Sequence, residues 1–206
     1  MGVSQPYWAL LESGKRRVPE RLARKAVRVL GLSPTLLPAS VPQQGRVTAD
    51  ELVRALAGLG YPGFAYVRSG WRKNPAEVLL SALQQDELES RVTEALPWLL
   101  LRFPDMDAKW LASTARLLNV ANRLGFVADL ARRVAELADG PHSERARRLG
   151  ELVSELDNSR LAREDTLCQA SLSQTEREWL KENRPDQARY WNLLTNWRPE
   201  HLQYAR

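Results

Sequence analysis

The residue types that most often carry acid–base or covalent catalysis are few in this chain and lie apart. It contains two histidines, His142 and His201, and a single cysteine, Cys168. Neither histidine stands in a pattern with carboxylates or cysteine, so a general base is not indicated. Cys168 has no base or glycine-rich turn beside it, and a small buried side chain is the better interpretation. We therefore expect a protein that is not an enzyme.

Signatures of metal and nucleotide binding are equally weak. Glu151, Glu155 and Asp157 form an acidic patch, but their spacing does not fit a calcium loop. The glycines of 58–63 formally match the dinucleotide fingerprint G-x-G-x-x-G. That match follows a helical pattern instead of a strand, and Pro62 stands where a helix should open. No cofactor and no metal ion are predicted.

Positive charge is concentrated at one end of the chain. Residues 1–47 contain eight Lys or Arg residues against two acids, which gives +6, whereas the remainder carries −1 of the total net charge of +5. Phosphate binding by counterion release requires such an asymmetry. A solvated basic helix is the alternative interpretation.

The basic end also contains a well-delimited helix. Ser4 is a typical N-cap, Pro6 fits the first helical turn, and Glu12 with Gly14 indicates the helix end. The apolar residues of this helix predict a core-facing side: Tyr7, Trp8, Leu10 and Leu11. The basic run Lys15, Arg16 and Arg17 follows, and Pro19 fits the first turn of a second helix whose apolar residues recur up to Gly31.

The order of these residues resembles a known family. The string S-Q-x-Y-x-x-x-L-E-x-G-K-R-R-x-P, continued by a helix that ends in L-G-L-S-P-T-L-L, is similar to the second half of a Cro/repressor-type (Xre) helix-turn-helix domain. The similarity runs from Val3 to about Leu37. In that family two further helices precede the matched part. An incomplete helix-turn-helix is therefore predicted, with Trp8, Leu10 and Leu11 needing another cover.

The resemblance implies DNA-binding roles for individual residues. Ser4 and Gln5 would read bases in the major groove, because the recognition helix enters the groove by its N-terminus, and glutamine can bond adenine N6 and N7 together. The remaining DNA-contacting residues implied are Tyr7, Lys15, Arg16 and Arg17, of which the three cations would hold phosphates. The partner would be double-stranded operator DNA, and a palindromic operator would imply a homodimer.

A second, shorter resemblance concerns the middle of the chain. The blocks EALPWLLLRFPDMD (94–107) and NVANRLGFVADLA (119–131) are similar to C-terminal regions of abortive-infection-type antitoxins, whose partner is a nucleotidyltransferase-like toxin. Arg123 lies in the string that carries this similarity. The loop 61–74 interleaves aromatic and basic residues that suit a protein partner or a nucleic acid, although an aromatic anchor for the loop is the favoured interpretation. The partner-binding candidates are Tyr66, Arg68, Trp71, Arg72 and Arg123.

The elements that must position these residues are predicted to be helices. Segment 38–47 is expected to be a polar linker, and capping patterns at Thr48 with Glu51, Asp86 with Glu89, Asp107, and Ser173 with Glu176 predict successive helix starts. Strands are limited to a short pair near Phe64 to Val67. The expected fold is all-α: a partial helix-turn-helix (1–37), a linker (38–47) and a multi-helix domain (48–206).

The composition of the chain indicates a folded core and a cellular compartment. The chain has 206 residues, and its 44% hydrophobic content is enough for a real core. The longest apolar run, Leu96 to Leu101, is too short to span a bilayer, and a single cysteine fits a reducing compartment, so we expect a cytoplasmic protein. By these resemblances, the predicted function is a bacterial DNA-binding transcriptional regulator: the antitoxin of a toxin–antitoxin pair, which represses its own operon and neutralises a nucleotidyltransferase-like toxin. The alternative is a helical protein-interaction module with a remnant motif, in which Trp8 and Leu11 pack on the helical domain.

Overall fold

The computed structural model describes residues 4–43, 45, 47–69 and 73–204. Within these residues the chain forms ten α-helices, three 3-10 turns and two strands of two residues each, which confirms the predicted all-α fold. The helices are α1 Gln5–Glu12, α2 Glu20–Leu30, α3 Ala49–Leu59, α4 Pro75–Leu83, α5 Ser90–Arg102, α6 Ala108–Leu117, α7 Ala121–Asp139, α8 Glu144–Asp157, α9 Gln174–Asn183 and α10 Asp186–Tyr190. The 3-10 turns are Pro34–Leu36, Pro62–Phe64 and Pro199–His201.

The core is built around α7. Helices α5 and α8 pack against it, and α4, α6 and α10 also contact it. All residues of 121–131 are buried, so the first half of α7 is enclosed on every side. This half of α7 is therefore not amphipathic. Near the C-terminal end of the helix, by contrast, Leu137 is 77% exposed.

Local capping rules fix several helix starts as predicted. The Thr48 hydroxyl accepts a hydrogen bond from the Glu51 amide, and the Glu51 carboxylate accepts one from the Thr48 amide at 2.9 Å. Ser173 and Glu176 form the same reciprocal pair at the start of α9. Asp107 accepts a bond from the Trp110 amide at 3.0 Å. These caps use residues three positions apart, so the sequence alone specifies them.

Helix α5 differs from the prediction because backbone groups distant in sequence form hydrogen bonds with its expected first turn. Helix α5 starts at Ser90 and not near Asp86, because the Asp86 carbonyl accepts a bond from the Ala170 amide and the Leu88 amide donates to the Cys168 carbonyl, both at 3.0 Å. Pro97 lies inside α5, which continues through it without a restart.

The strands also lie elsewhere than predicted. Strand β1 (Asp165–Thr166) pairs in parallel with β2 (Leu193–Leu194), whereas Phe64 belongs to a 3-10 turn. Before β2, α10 ends ahead of Asn192, which adopts φ +52° and whose carbonyl accepts a hydrogen bond from the Asp165 amide. The two strands are far apart in sequence and only two residues long each, so no local sequence pattern predicts this pair.

The segment 38–47 was expected to be too polar to pack, and this is wrong at two points. Pro42 is buried, and the Ser40 hydroxyl donates to the Glu77 carboxylate of α4 at 3.1 Å. The described part of this connection therefore lies along the helical domain. Among the described residues, no helix is long and apolar enough to cross a membrane.

Candidate nucleic-acid interface

The first turn of α1 presents the two residues that the resemblance assigns to base reading. Ser4 occupies the N-cap position with extended backbone, as predicted, but its side chain makes no capping bond. Ser4 and Gln5 are both exposed. Their polar groups are therefore directed at solvent, where a major-groove edge would reach them.

The turn after α1 brings the basic run back along the helix. Gly14 adopts φ +68°, which glycine tolerates without strain, and the Arg16 amide then donates to the Leu10 carbonyl at 3.0 Å. The Arg16 guanidinium lies over the Tyr7 ring, 4.9 Å from its centroid. This cation–π contact holds the Arg16 charge against the first turn of α1. Lys15 and Arg17 are exposed beside it.

The expected core-facing side of α1 is not covered by the described chain. No residue of α1 is buried; Trp8 and Leu11 are half-buried, and Leu10 is 41% exposed. The core side predicted for α1 is therefore not formed within the described chain, which agrees with the expectation that Trp8, Leu10 and Leu11 need another cover. In the alternative interpretation Trp8 and Leu11 pack on the helical domain, and the described chain half-buries both side chains.

The segment that follows α2 in sequence contacts the helical domain. Asn74, 6% exposed, caps α4 by accepting a bond from the Ala76 amide. Its amide group also donates to the Leu37 carbonyl at 2.6 Å and to the Thr35 carbonyl at 3.1 Å. The Pro34–Leu36 turn and buried Leu37 thus dock on α4, which leaves α1 projecting its polar first turn outward.

The aromatic loop after α3 divides into an anchor and an exposed part. Tyr61 and Phe64 are 1% and 3% exposed and meet edge to face at 5.4 Å between ring centroids, which confirms the anchor interpretation for these two residues. Tyr66 is 72% exposed, and Arg68 is also exposed. The candidates Trp71 and Arg72 lie outside the described residues.

Arg123 lies in the core and not on a partner-binding surface, so its assignment as a partner contact is corrected. Its guanidinium donates to both carboxylate oxygens of Asp165, at 2.8 and 3.0 Å. The same side chain donates to the carbonyls of Leu83 and Gln85 at the end of α4, at 2.8 and 3.0 Å. At 8% exposure, Arg123 joins three segments internally.

The rest of the Asn122–Phe126 string is also used internally. Asn122 exchanges two 2.8 Å hydrogen bonds with the backbone of Leu161, one to its carbonyl and one from its amide. Gly125 lies against Trp191, because a Cβ placed there would stand 2.3 Å from the indole ring. The string that carries the antitoxin resemblance therefore docks the 157–194 segment. Asn122, Arg123 and Gly125 stand out in the sequence by type and spacing. Their contact partners could not be identified from it, because these partners lie far along the chain.

The charge state of this buried cluster follows from its contacts. Burial alone would raise the pKa of Asp165, but the hydrogen bonds and charge of Arg123 outweigh it and hold that pKa below its usual value. Burial raises the pKa of Cys168 to about 12. Cys168 is fully buried, as predicted, and stays a thiol at neutral pH, so it is not an activated nucleophile.

Trp191 and Trp179 have different environments. Trp191 is fully buried against α7, whereas Trp179 is 53% exposed on α9. A polar cleft of about 420 Å³ separates the N-terminal region from the domain, lined on its two sides by Ser33 and Arg102 among others. Across the described residues, no group of three or more His, Cys, Asp or Glu side chains is arranged to hold a metal ion.

Comparison with protein-family models, curated proteins and solved structures found no match for this chain. The functional argument therefore depends on the geometry of the interface and on the residue patterns of its sequence.

Proposed function

We propose that this protein is a DNA-binding transcriptional regulator, in which the first turn of α1 reads bases and the following turn holds phosphates. The observation that carries the proposal is that the contact of Arg16 with Tyr7 holds a positive charge against the same first turn of α1 that exposes Gln5. Gln5 supplies a donor and an acceptor for a base edge, and Lys15, Arg16 and Arg17 supply the positive charge. The chain acts as a regulator and not as an enzyme, in the cytoplasm.

The exposed apolar surface of α1 supports a two-fold arrangement on operator DNA. Leu10 and the half-buried Trp8 and Leu11 leave apolar surface that a second copy or a bound partner would cover. Homodimers on palindromic operators are the usual arrangement for helix-turn-helix readers.

The test is binding of the whole chain to DNA selected from a random duplex pool and to the DNA upstream of its own gene, across a salt series. Gln5→Ala should remove about 1–3 kcal/mol of discrimination at one base position. Arg16→Ala should weaken all duplexes similarly and reduce the salt slope by about 0.9. Gln174→Ala is the matched control, because Gln174 is the exposed first residue of α9 just as Gln5 is of α1.

Three results decide the proposal. Relaxed preference in Gln5→Ala alone supports base reading. Equal loss on every sequence from Gln5→Ala removes that role. Weak binding of the wild-type chain to all duplexes contradicts DNA regulation altogether and favours the protein-interaction alternative.

The second part of the proposal is that the regulator is an antitoxin that neutralises a nucleotidyltransferase-like toxin. The supporting observations are the resemblance of 94–131 and the exposed pair Tyr66 and Arg68, since Tyr and Arg are enriched in interface cores. Co-expression with the neighbouring gene product should yield a co-purifying complex. Tyr66→Ala with Arg68→Ala should weaken it, whereas Leu117→Ala, at a residue 69% exposed on α6, should not. Monomeric elution beside an active toxin would contradict this part.

A further inference from the structure

We propose that α2 is a second phosphate-binding element, with Arg21, Lys25 and Arg28 following the backbone of one DNA strand. None of these three residues belongs to the predicted DNA-contacting set. The inference rests on the proposed function and extends it from the α1 turn to a whole helix face.

The three cations share one face of α2. They are spaced four and three residues apart, the spacing at which helix side chains become neighbours. All three are exposed, and they are turned away from Val27, which is 3% exposed. The helix therefore docks by one side and presents a row of positive charge on another.

The charges of α2 are arranged differently from those of a solvated helix such as α8. In α8, Arg147 bonds Glu144 at 2.7 Å and also pairs with Glu151, so acids balance the cations. The single acid in the sequence of α2 is Glu20, and it pairs with Arg24, which lies outside the row. By sequence, α2 holds four cations and one acid and so carries +3, whereas α8 holds three cations and four acids and carries −1.

The length of the row matches a phosphate backbone. Arg21 to Arg28 spans seven residues, or about 10 Å along the helix axis. Successive phosphates of one DNA strand advance by about 3.4 Å along the duplex axis, so the row covers about three of them. The preceding turn, with exposed Lys15 and Arg17, continues the same positive surface towards α1.

A basic amphipathic helix can also lie on an anionic membrane. Val27 is buried, and Leu22, Ala23 and Ala26 are half-buried, whereas Val29 and Leu30 at the C-terminal end of α2 are each 60% exposed. The apolar surface open to a membrane is therefore confined to the last turn of α2. The cationic row continues into the exposed Lys15 and Arg17 of the preceding turn, which favours DNA, and the vesicle probe described below tests the membrane ligand.

The test compares two triple variants of the full-length chain that lose the same net charge. The first combines Arg21→Gln, Lys25→Gln and Arg28→Gln. The control combines Lys109→Gln, Arg163→Gln and Arg189→Gln, three exposed cations of the helical domain. Affinity for the selected duplex and for a scrambled duplex is measured across a salt series, and anionic phosphatidylserine vesicles are the second probe.

The α2 variant should lose about 2 to 3 units of salt slope on both duplexes, while the control changes little and base preference is retained. Replacement of Arg21 and Arg28 by Lys keeps the charge and should keep the slope, which separates charge from helix loss. Equal slopes in the two triple variants overturn the α2 assignment, while the Gln5→Ala result still decides the proposed function. Loss of vesicle binding with unchanged DNA binding assigns the row to lipid instead. Absence of DNA binding by the wild-type chain removes both proposals.

Discussion

At the scale of single residues, the most consequential side chain of the domain is Arg123. It is a buried cation whose guanidinium is satisfied by one carboxylate and two backbone carbonyls. A buried cation of this kind is retained only when its partners are complete, because leaving it unpaired carries the full desolvation penalty. Among the oxygen partners named here, the Asp165 carboxylate is the one that a substitution can remove without altering the backbone.

Asp165→Asn should therefore destabilise the fold by about 3 kcal/mol at neutral pH, measured as the free energy of unfolding in urea. The pKa of Asp165 is lowered in the folded state, so its contribution is present above the unfolded pKa of about 3.9 and is lost as pH falls through the folded value. The difference between wild type and variant should accordingly shrink below about pH 3.9.

Glu144→Gln is the matched control for this measurement. Hydrogen bonds from Arg147 and Arg148 lower the pKa of Glu144 to about 2, yet all three side chains are exposed on α8. Solvent screens such pairs, so the control should change stability much less than Asp165→Asn. A constant difference between wild type and Asp165→Asn from pH 7 to pH 2 would contradict the role of the charge.

At the scale of elements, the contact between α7 and the 157–194 segment depends on the absence of a side chain at Gly125. Gly125→Ala should destabilise the protein by about 1–3 kcal/mol, because the new Cβ would stand 2.3 Å from the Trp191 ring. Gly150→Ala in α8 is the control, since its Cβ would meet nothing nearer than the Arg132 side chain at 3.7 Å. That substitution should stabilise by about 0.5–1 kcal/mol through helix propensity, and chemical denaturation would measure both. Equal effects at the two glycines would contradict the close packing.

The elements also show what the sequence could predict. The caps at Thr48, Asp107 and Ser173 and the bounds of α1 followed from residues within four positions of one another. The start of α5 and the position of β2 did not, because each is set by backbone pairing across the fold. The same limit applies to the site: exposed Gln5 was predictable, but the Arg123 partner lies 42 residues away and has no sequence signature.

At the scale of the whole molecule, burial is distributed unevenly between the N-terminal region and the domain. Helix α1 has no buried residue and α2 has one, whereas residues 121–131 of α7 are all buried. Regions with few buried contacts open at lower free energy than the core. Amides of α1 should therefore exchange with deuterium much faster than those of α7 in the chain alone, and bound DNA should slow the α1 amides. Equal protection of α1 and α7 without DNA would show that α1 is covered by another copy or partner.

The docking of the 157–194 segment on α7 has a consequence for folding during synthesis. Asn122, Arg123 and Gly125 contact Leu161, Asp165 and Trp191 respectively. Each of these partners is synthesised at least 39 residues later. The central helix cannot reach its final packing while the chain is still emerging. A chain that stopped after α8 would lack the segment that covers Arg123 and Gly125. We expect quality-control proteases to degrade such a fragment as an unfolded chain. The protein is thus able to expose its basic N-terminal helices early, yet the domain that carries them completes its packing only after Trp191 has been synthesised.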